Sequence, residues 1–311
     1  MDENDRLLDA FEQQRGRLRA VAYRMLGSAS EADDAVQETW LRATRAGTAD
    51  VENLAAWLTT VTGRICLNML RTRATRREEP LEIPGEGAPA LRPDVLPELR
   101  VPDQIGGHEE GALDPEGEAL LADSVGLAML VVLDRLTPAE RLAFVLHDLF
   151  AVPFDEIGPL VERSAAATRQ LASRARRRVR GGAPAPGADL ARQRRVIDAF
   201  LAASRGGDLD ALVAVLDPDV VLRADPEAGP TPAPLVIRGA KFVAQGAGAA
   251  AARVQHTDFA LIDGEVGLVM APYGRLFLVL RFRFDGDRIT AIDVVAAPER
   301  LEGVELAVLG E

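Results

Sequence analysis

The chain has 311 residues, enough for two or three domains, and 48% of them are hydrophobic, the proportion of a globular protein. It contains no run of 18 apolar residues, which excludes a membrane-spanning helix, and its one cysteine, Cys66, excludes an internal disulfide. A net charge of −12 excludes a chain coated in basic residues, yet the charge is uneven: −1 over residues 1–79, −8 over 80–120, +2 over 121–188 and −5 over 189–311.

The N-terminus is acidic with a helical period, unlike a secretory signal. Leu7, Leu8, Phe11, Leu18, Val21, Ala22 and Met25 share one face of a helix expected over Asp5 to Leu26, which Gly27 ends. Ser30 is expected to cap a second helix, Glu31 to Ala46, that buries Ala35, Val36 and Trp40 and exposes Asp33, Asp34, Gln37 and Glu38. A third helix follows the loop of residues 47–53. Leu54, Trp57, Leu58, Val61, Ile65, Leu67 and Leu70 give it an apolar face, and Arg64, Arg71, Arg73, Arg76 and Arg77 a basic end. Cys66 falls in this apolar stretch and reads as core, in keeping with a reducing cytoplasm.

Residues 78–118 hold many Pro, Gly and acidic residues without periodicity and read as an extended or disordered tether. His108 stands alone among acids there, and the sequence offers no metal-ligand set and implies no cofactor.

Leu136 to Gly181 has the pattern of a helix-turn-helix. Thr137, Pro138 and Glu140 form a capping-box signature, and Leu142, Val145, Leu146 and Leu149 continue at helical spacing. Residues 151–153 break that helix, a short second helix carries Phe154, Ile157, Leu160 and Val161, Glu162-Arg163 turns, and Ser164 caps a third. Six arginines and no acid lie between Arg169 and Arg180. A capped basic helix after a tight turn can enter a DNA major groove, where Arg, Gln and Ser reach phosphates or base edges. The candidate readers are Ser164, Thr168, Arg169, Gln170, Ser173, Arg174, Arg176 and Arg177.

After a short linker, residues 182–189, two helices (Arg192 to Ser204 and Leu209 to Leu216) precede a change of period to two. Strands are expected at 220–224, 235–238, 259–262, 266–270, 276–284 and 289–295, the last four antiparallel, with a small-residue helix at 240–251 and hairpin turns at Asp263-Gly264 and Asp285-Gly286. The expected fold is an α+β cone around an apolar pocket, for which Asp225, His256 and Tyr273 are the candidate polar residues.

The blocks ASEADDAVQETWLRA, AWLTTVTGRICLNMLRTRATRRE and LTPAERLAFVLHDLF…FDEIGPLVERSAAATRQLASRARRR, in this order, resemble the extracytoplasmic-function (ECF) sigma factors of bacterial RNA polymerase. The C-terminal pattern FLAASRGGDLDALVAVLDPDVVLRAD…IRGA…DGEVGLV…FRFDGDRITAIDVVAAPERL resembles SnoaL-like domains of the ketosteroid-isomerase-like fold, and ECF sigma factors fused to such a domain form a known group. The resemblance implies two all-α DNA-binding domains, at 1–77 (sigma region 2) and 119–181 (sigma region 4), and a regulatory SnoaL-like cone at 190–311. It implies that core RNA polymerase contacts Asp33, Asp34, Gln37 and Glu38. It places the −10 element on Asn53, Trp57, Arg64, Asn68, Arg71 and Arg73, and the −35 element on the third helix of the second block. The partners implied are core polymerase, promoter DNA, the chain's own C-terminal domain and a small ligand in its pocket. The glycine-rich stretch that the group carries after VVLRAD is here Pro226-Glu227-Ala228-Gly229-Pro230. A ligand-gated DNA-binding regulator and a SnoaL-like enzyme are the alternative readings.

Overall fold

A computed structural model of the chain describes residues 3–48, 51–77, 126–182, 184–185, 188–228, 233–249, 257–271 and 275–310. The expected linker at 78–118, His108, His256 and Tyr273 lie outside the described residues. The chain divides into two compact units. The described residues of 3–77, Gly126 and Leu130–Val179 form one, and those of Leu127–Met129 and Arg180–Glu311 the other.

The first unit is all helical. It contains α1 (Glu3–Leu26), α2 (Ala29–Ala46) and α3 (Leu54–Arg77), then the greater part of α4 (Leu127–Asp134), α5 (Pro138–Phe144), α6 (Phe154–Ile157) and, but for its last residue, α7 (Ala165–Arg180). Ser28, not Ser30, caps α2: its hydroxyl accepts from the Glu31 N–H, and the helix starts two residues earlier than Ser30 would allow. Gly27 at φ +76° makes the bend that brings Ser28 into that place. Leu7, Phe11, Leu18, Val36, Ala43 and Leu58 form the core of the α1–α3 bundle, with Trp40 and Trp57 packed against it. Trp40 meets Phe11 at 5.0 Å between ring centroids.

The capping box at the head of α5 is present with both of its reciprocal bonds. The helix does not stay α-helical to Leu149, as its spacing suggests, but widens into a π-helical turn over Val145–Leu149. Such a turn adds a residue and re-aims the side chains beyond it. Ala151, at φ +58°, then stops the helix, and Glu162, at φ +57°, makes the tight turn before α7.

The helical segments on either side of residues 78–125 pack together within this unit. Arg141 on α5 is 2% exposed, and its Nε donates to the Arg24 carbonyl at 3.0 Å. Arg17 donates to the Phe150 carbonyl at 2.7 Å, and the Arg17 and Arg24 guanidinium groups each lie 5.4 Å from the Phe150 ring centre. Gly63 on α3 leaves the notch that Leu142 and Leu146 occupy: a Cβ there would stand 3.0 Å from Leu146.

The second unit is α+β. Helices α8 (Leu190–Gly206), α9 (Leu209–Val215) and α10 (Ala240–Ala249) pack on a seven-stranded sheet of order β2-β1-β6-β5-β4-β3-β7. Its strands are β1 (Leu216–Ala224), β2 (Leu235–Arg238), β3 (Thr257–Ile262), β4 (Glu265–Met270), β5 (Leu278–Asp285), β6 (Arg288–Val295) and β7 (Leu306–Val308). The sheet is mixed, since β1 and β6 run parallel, a long-range pairing that period alone does not reveal. The short α11 (Pro298–Glu302) and the three-residue β7 are absent from the sequence-based expectation because neither is long enough to show a period. Asp263 and Gly264 both have positive φ and turn β3 into β4. Ile197, Phe200, Leu212, Val220, Leu268, Phe282 and Ile292 fill the space between helices and sheet.

Candidate nucleic-acid interface

Helices α6 and α7 and the turn between them form the helix-turn-helix. Thr168, Ala172, Ala175 and Val179 recur at helical spacing and are buried, which fixes the inner side of α7. The opposite side exposes Arg169, Gln170, Ser173, Arg174, Arg177 and Arg178. Ser164 caps α7 by accepting from the Ala167 N–H at 3.2 Å. Thr168 is a correction among the expected readers. It has no exposed surface, its hydroxyl donates to the Ser164 carbonyl, and it braces the first turn of α7 instead of reaching outward.

Most arginines of α7 are held in place by partners within the unit. Arg174 Nε donates to Glu140 Oε1 at 3.0 Å, and Arg178 donates to Glu140 Oε2 at 2.7 Å. Arg176 Nε donates to Asp148 at 2.5 Å. Arg169 lies 5.3 Å from the ring centre of Phe154, which also stacks on His147 at 3.7 Å. Arg177 is exposed and makes no ion pair among the described residues. Burial alone would raise the Glu140 carboxyl; hydrogen bonds from Arg174 and Thr137 and the charge of Arg178 outweigh it and hold the carboxyl below its ordinary value. Glu140 therefore closes the capping box of α5 and fastens α7 to it. The capping role is legible in the sequence. The clamp is not, because Arg174 and Arg178 lie 34 and 38 residues away.

On α3, Arg64, Asn68 and Arg71 are exposed at i, i+4 and i+7, one stripe of the helix. Arg73 is different: it pairs with Glu31 on α2 and its other guanidinium nitrogen donates to the Leu26 carbonyl, so it braces the bundle. Asn53 is exposed, and its side-chain oxygen accepts from the Ala56 N–H at 3.0 Å, capping α3. Trp57 is half-buried against the bundle core. On α2, Asp33 accepts two bonds from Arg19, at 2.6 and 3.0 Å, and Glu38 pairs with Arg42 at 2.7 Å, while Asp34 and Gln37 are exposed. Cys66 is fully buried beneath this surface, and burial pushes its thiol up to about 12. Burial likewise lowers the Arg141 guanidinium to about 10, against a partial restoring effect from Asp134.

In the second unit, Asp225 is not a free pocket carboxylate. It accepts from the backbone N–H groups of Ala296 and Ala297, at 3.0 and 3.1 Å, and from Arg300, so its oxygens tie the end of β1 to the start of α11. The described residues contain no cluster of His, Cys, Asp and Glu that could hold a metal ion. No helix among them is long and apolar enough to cross a membrane.

Comparison with known proteins matches the family model Sigma-70 region 2 to residues 10–76 and Sigma-70, region 4 to residues 127–179. The chain is 36% identical, over 95% of its length and 93% of the relative's, to the ECF RNA polymerase sigma factor SigJ of Mycobacterium tuberculosis. It is also 36% identical to the probable ECF RNA polymerase sigma factor SigI of the same organism, over 74% of this chain and 73% of that one. Against the crystal structure of M. tuberculosis SigJ the match covers 95% of this chain and 98% of that one, at 30% identity and a TM-score of 0.43.

Proposed function

The chain belongs to the ECF RNA polymerase sigma factors, and from that membership we propose that it directs bacterial RNA polymerase to a specific set of promoters, under the control of its own C-terminal unit. The observation that carries this reading is the match to SigJ over 95% of the chain, which takes in the C-terminal unit as well as the two sigma regions.

In this reading α7 enters the major groove of the −35 element. Gln170, Ser173 and Arg177 reach base edges or phosphates, and Arg169 and Arg174 are presented by Phe154 and Glu140. The stripe Arg64, Asn68 and Arg71 lines the opened −10 strand, where an unstacked base is held beside the loop that Asn53 closes. Asp34 and Gln37, with Asp33 and Glu38 after exchange of their arginine partners, face the polymerase. In this reading the protein acts by binding rather than catalysis, and the bonds that satisfy Asp225 support it for the second unit. Its place of action is the cytoplasm, with the polymerase.

The test is dependence on core polymerase. Purified protein alone is expected to bind promoter duplex weakly and without strand opening, and addition of core polymerase to produce a tight, opened complex. Tight and specific duplex binding without polymerase would overturn the reading in favour of a ligand-gated regulator.

A further inference from the structure

The register of the C-terminal sheet puts four arginines on two adjacent rows of one face. One row runs Val236, Arg223, Asp293, Arg281 across β2, β1, β6 and β5; the next runs Arg238, Val221, Ala291, Arg283. Their neighbours of opposite parity, Ile237, Leu222, Ile292 and Phe282, belong to the core, so the arginines point outward. Arg283 is 71% exposed, Arg223 50% and Arg281 42%, and Arg238 is exposed as well. Asp285 also lies on this face, two residues from Arg283 on β5, and two further carboxylates are ion-paired with three of the four cations. Asp293 is shared between Arg223 at 3.7 Å and Arg283 at 3.4 Å, and Asp263 pairs with Arg281 at 3.0 Å; Arg238 makes no ion pair among the described residues. Residues 189–311 carry a net charge of −5, so this concentration is a property of the face and not of the composition.

We propose that this face binds the phosphate backbone of duplex DNA, a second DNA contact in addition to the helix-turn-helix. Guanidinium groups pair with phosphate in a two-pronged geometry that lysine does not offer. Ion pairs this exposed are weak and screened by solvent, so an incoming phosphate displaces them readily. The cations span four strands, a width of about 14 Å at the usual strand spacing, which suits a backbone track better than a single small anion. Neither row carries an aromatic side chain, so the face lacks the stacking platform that single-stranded bases require. The contact is therefore to duplex and independent of sequence. It does not require that the chain act as a sigma factor.

The experiment uses the full-length chain. A photo-reactive benzoylphenylalanine replaces Val236, which is 52% exposed on the face, and the probe is a short labelled duplex of random sequence. Crosslinking that salt suppresses is expected. In parallel, Arg238→Ala with Arg283→Ala is expected to lower the slope of log affinity against log salt by about 1.8, at about 0.9 for each phosphate no longer neutralised. The control pair Arg205→Ala with Lys241→Ala, equal in charge and also exposed, is expected to leave the slope unchanged. Arg283→Ala alone, with an expected drop of about 0.9, decides the matter should the double variant fail to fold. Absence of the crosslink, equal slopes for the two pairs, or suppression of the crosslink by poly-glutamate as effectively as by unlabelled duplex would overturn the proposal.

Discussion

Removing the Glu140 carboxylate should loosen the helix-turn-helix more than any single exposed arginine of α7 can. Its side chain is 5% exposed and bonds to the Thr137 hydroxyl and N–H, Arg174 and Arg178. The capping contribution is about 1 kcal/mol. The arginine partners are 47% and 54% exposed, so solvent screening holds each pair to about 0.5 kcal/mol. Glu140→Ala should therefore cost about 2 kcal/mol, and Glu140→Gln, which keeps an acceptor for Thr137 but loses the charge, about 1 kcal/mol. Urea denaturation followed by far-ultraviolet circular dichroism measures both. The pH dependence gives an independent check. A carboxyl held below its ordinary value stabilises the fold fully above the unfolded carboxylate value, about pH 4.3, and loses that contribution as pH falls through the folded value. Wild type should thus lose stability on acidification more steeply than Glu140→Gln. A cost under about 0.5 kcal/mol for Glu140→Ala, within the range of ordinary surface substitutions, would refute the clamp.

Arg177→Ala should weaken duplex binding and lower the salt slope by about 0.9, whereas Arg174→Ala should lose stability in a denaturant titration together with its DNA effect, because Arg174 is already committed to Glu140. Asp225→Asn should cost about 1–3 kcal/mol in thermal or urea unfolding, since it weakens a buried acceptor of two backbone N–H groups and an arginine. Cys66 should resist iodoacetamide in the native protein and react once urea unfolds it. Because its thiol is raised to about 12, its contribution to stability is complete below the unfolded thiol value, about 8.5, and is lost as pH rises towards 12, so Cys66→Ala should flatten the alkaline limb of the stability profile.

Local features are the legible ones. Thr137, Pro138 and Glu140 mark the start of α5, residues 151–153 its end, and the run of arginines from Arg169 to Arg180 the basic character of α7. These depend on neighbours within one or two turns. Thr168 is ambiguous in sequence because its hydroxyl suits base readout as well as it suits the bond to the Ser164 carbonyl, and only the packing decides. Ser28 and Ser30 compete for one cap, and the backbone bend at Gly27 selects the first. What the sequence withholds is long-range pairing. The parallel match of β1 with β6, the closing strand β7, the attachment of Arg174 and Arg178 to Glu140, and the burial of Arg141 against α1 each join residues dozens of positions apart. Asp225 shows the consequence for a site: a carboxylate at a strand end looks available until the N–H groups of Ala296 and Ala297 are found on it.

The central claim is that this chain selects promoters for RNA polymerase, and transcription in a purified system tests it most directly. Core polymerase, the full-length protein and a library of bacterial promoter fragments should yield transcripts with defined start sites that vanish when the protein is omitted. Those transcripts should fall sharply with Arg177→Ala. Active core polymerase that gives the same transcripts with and without the protein would contradict the account.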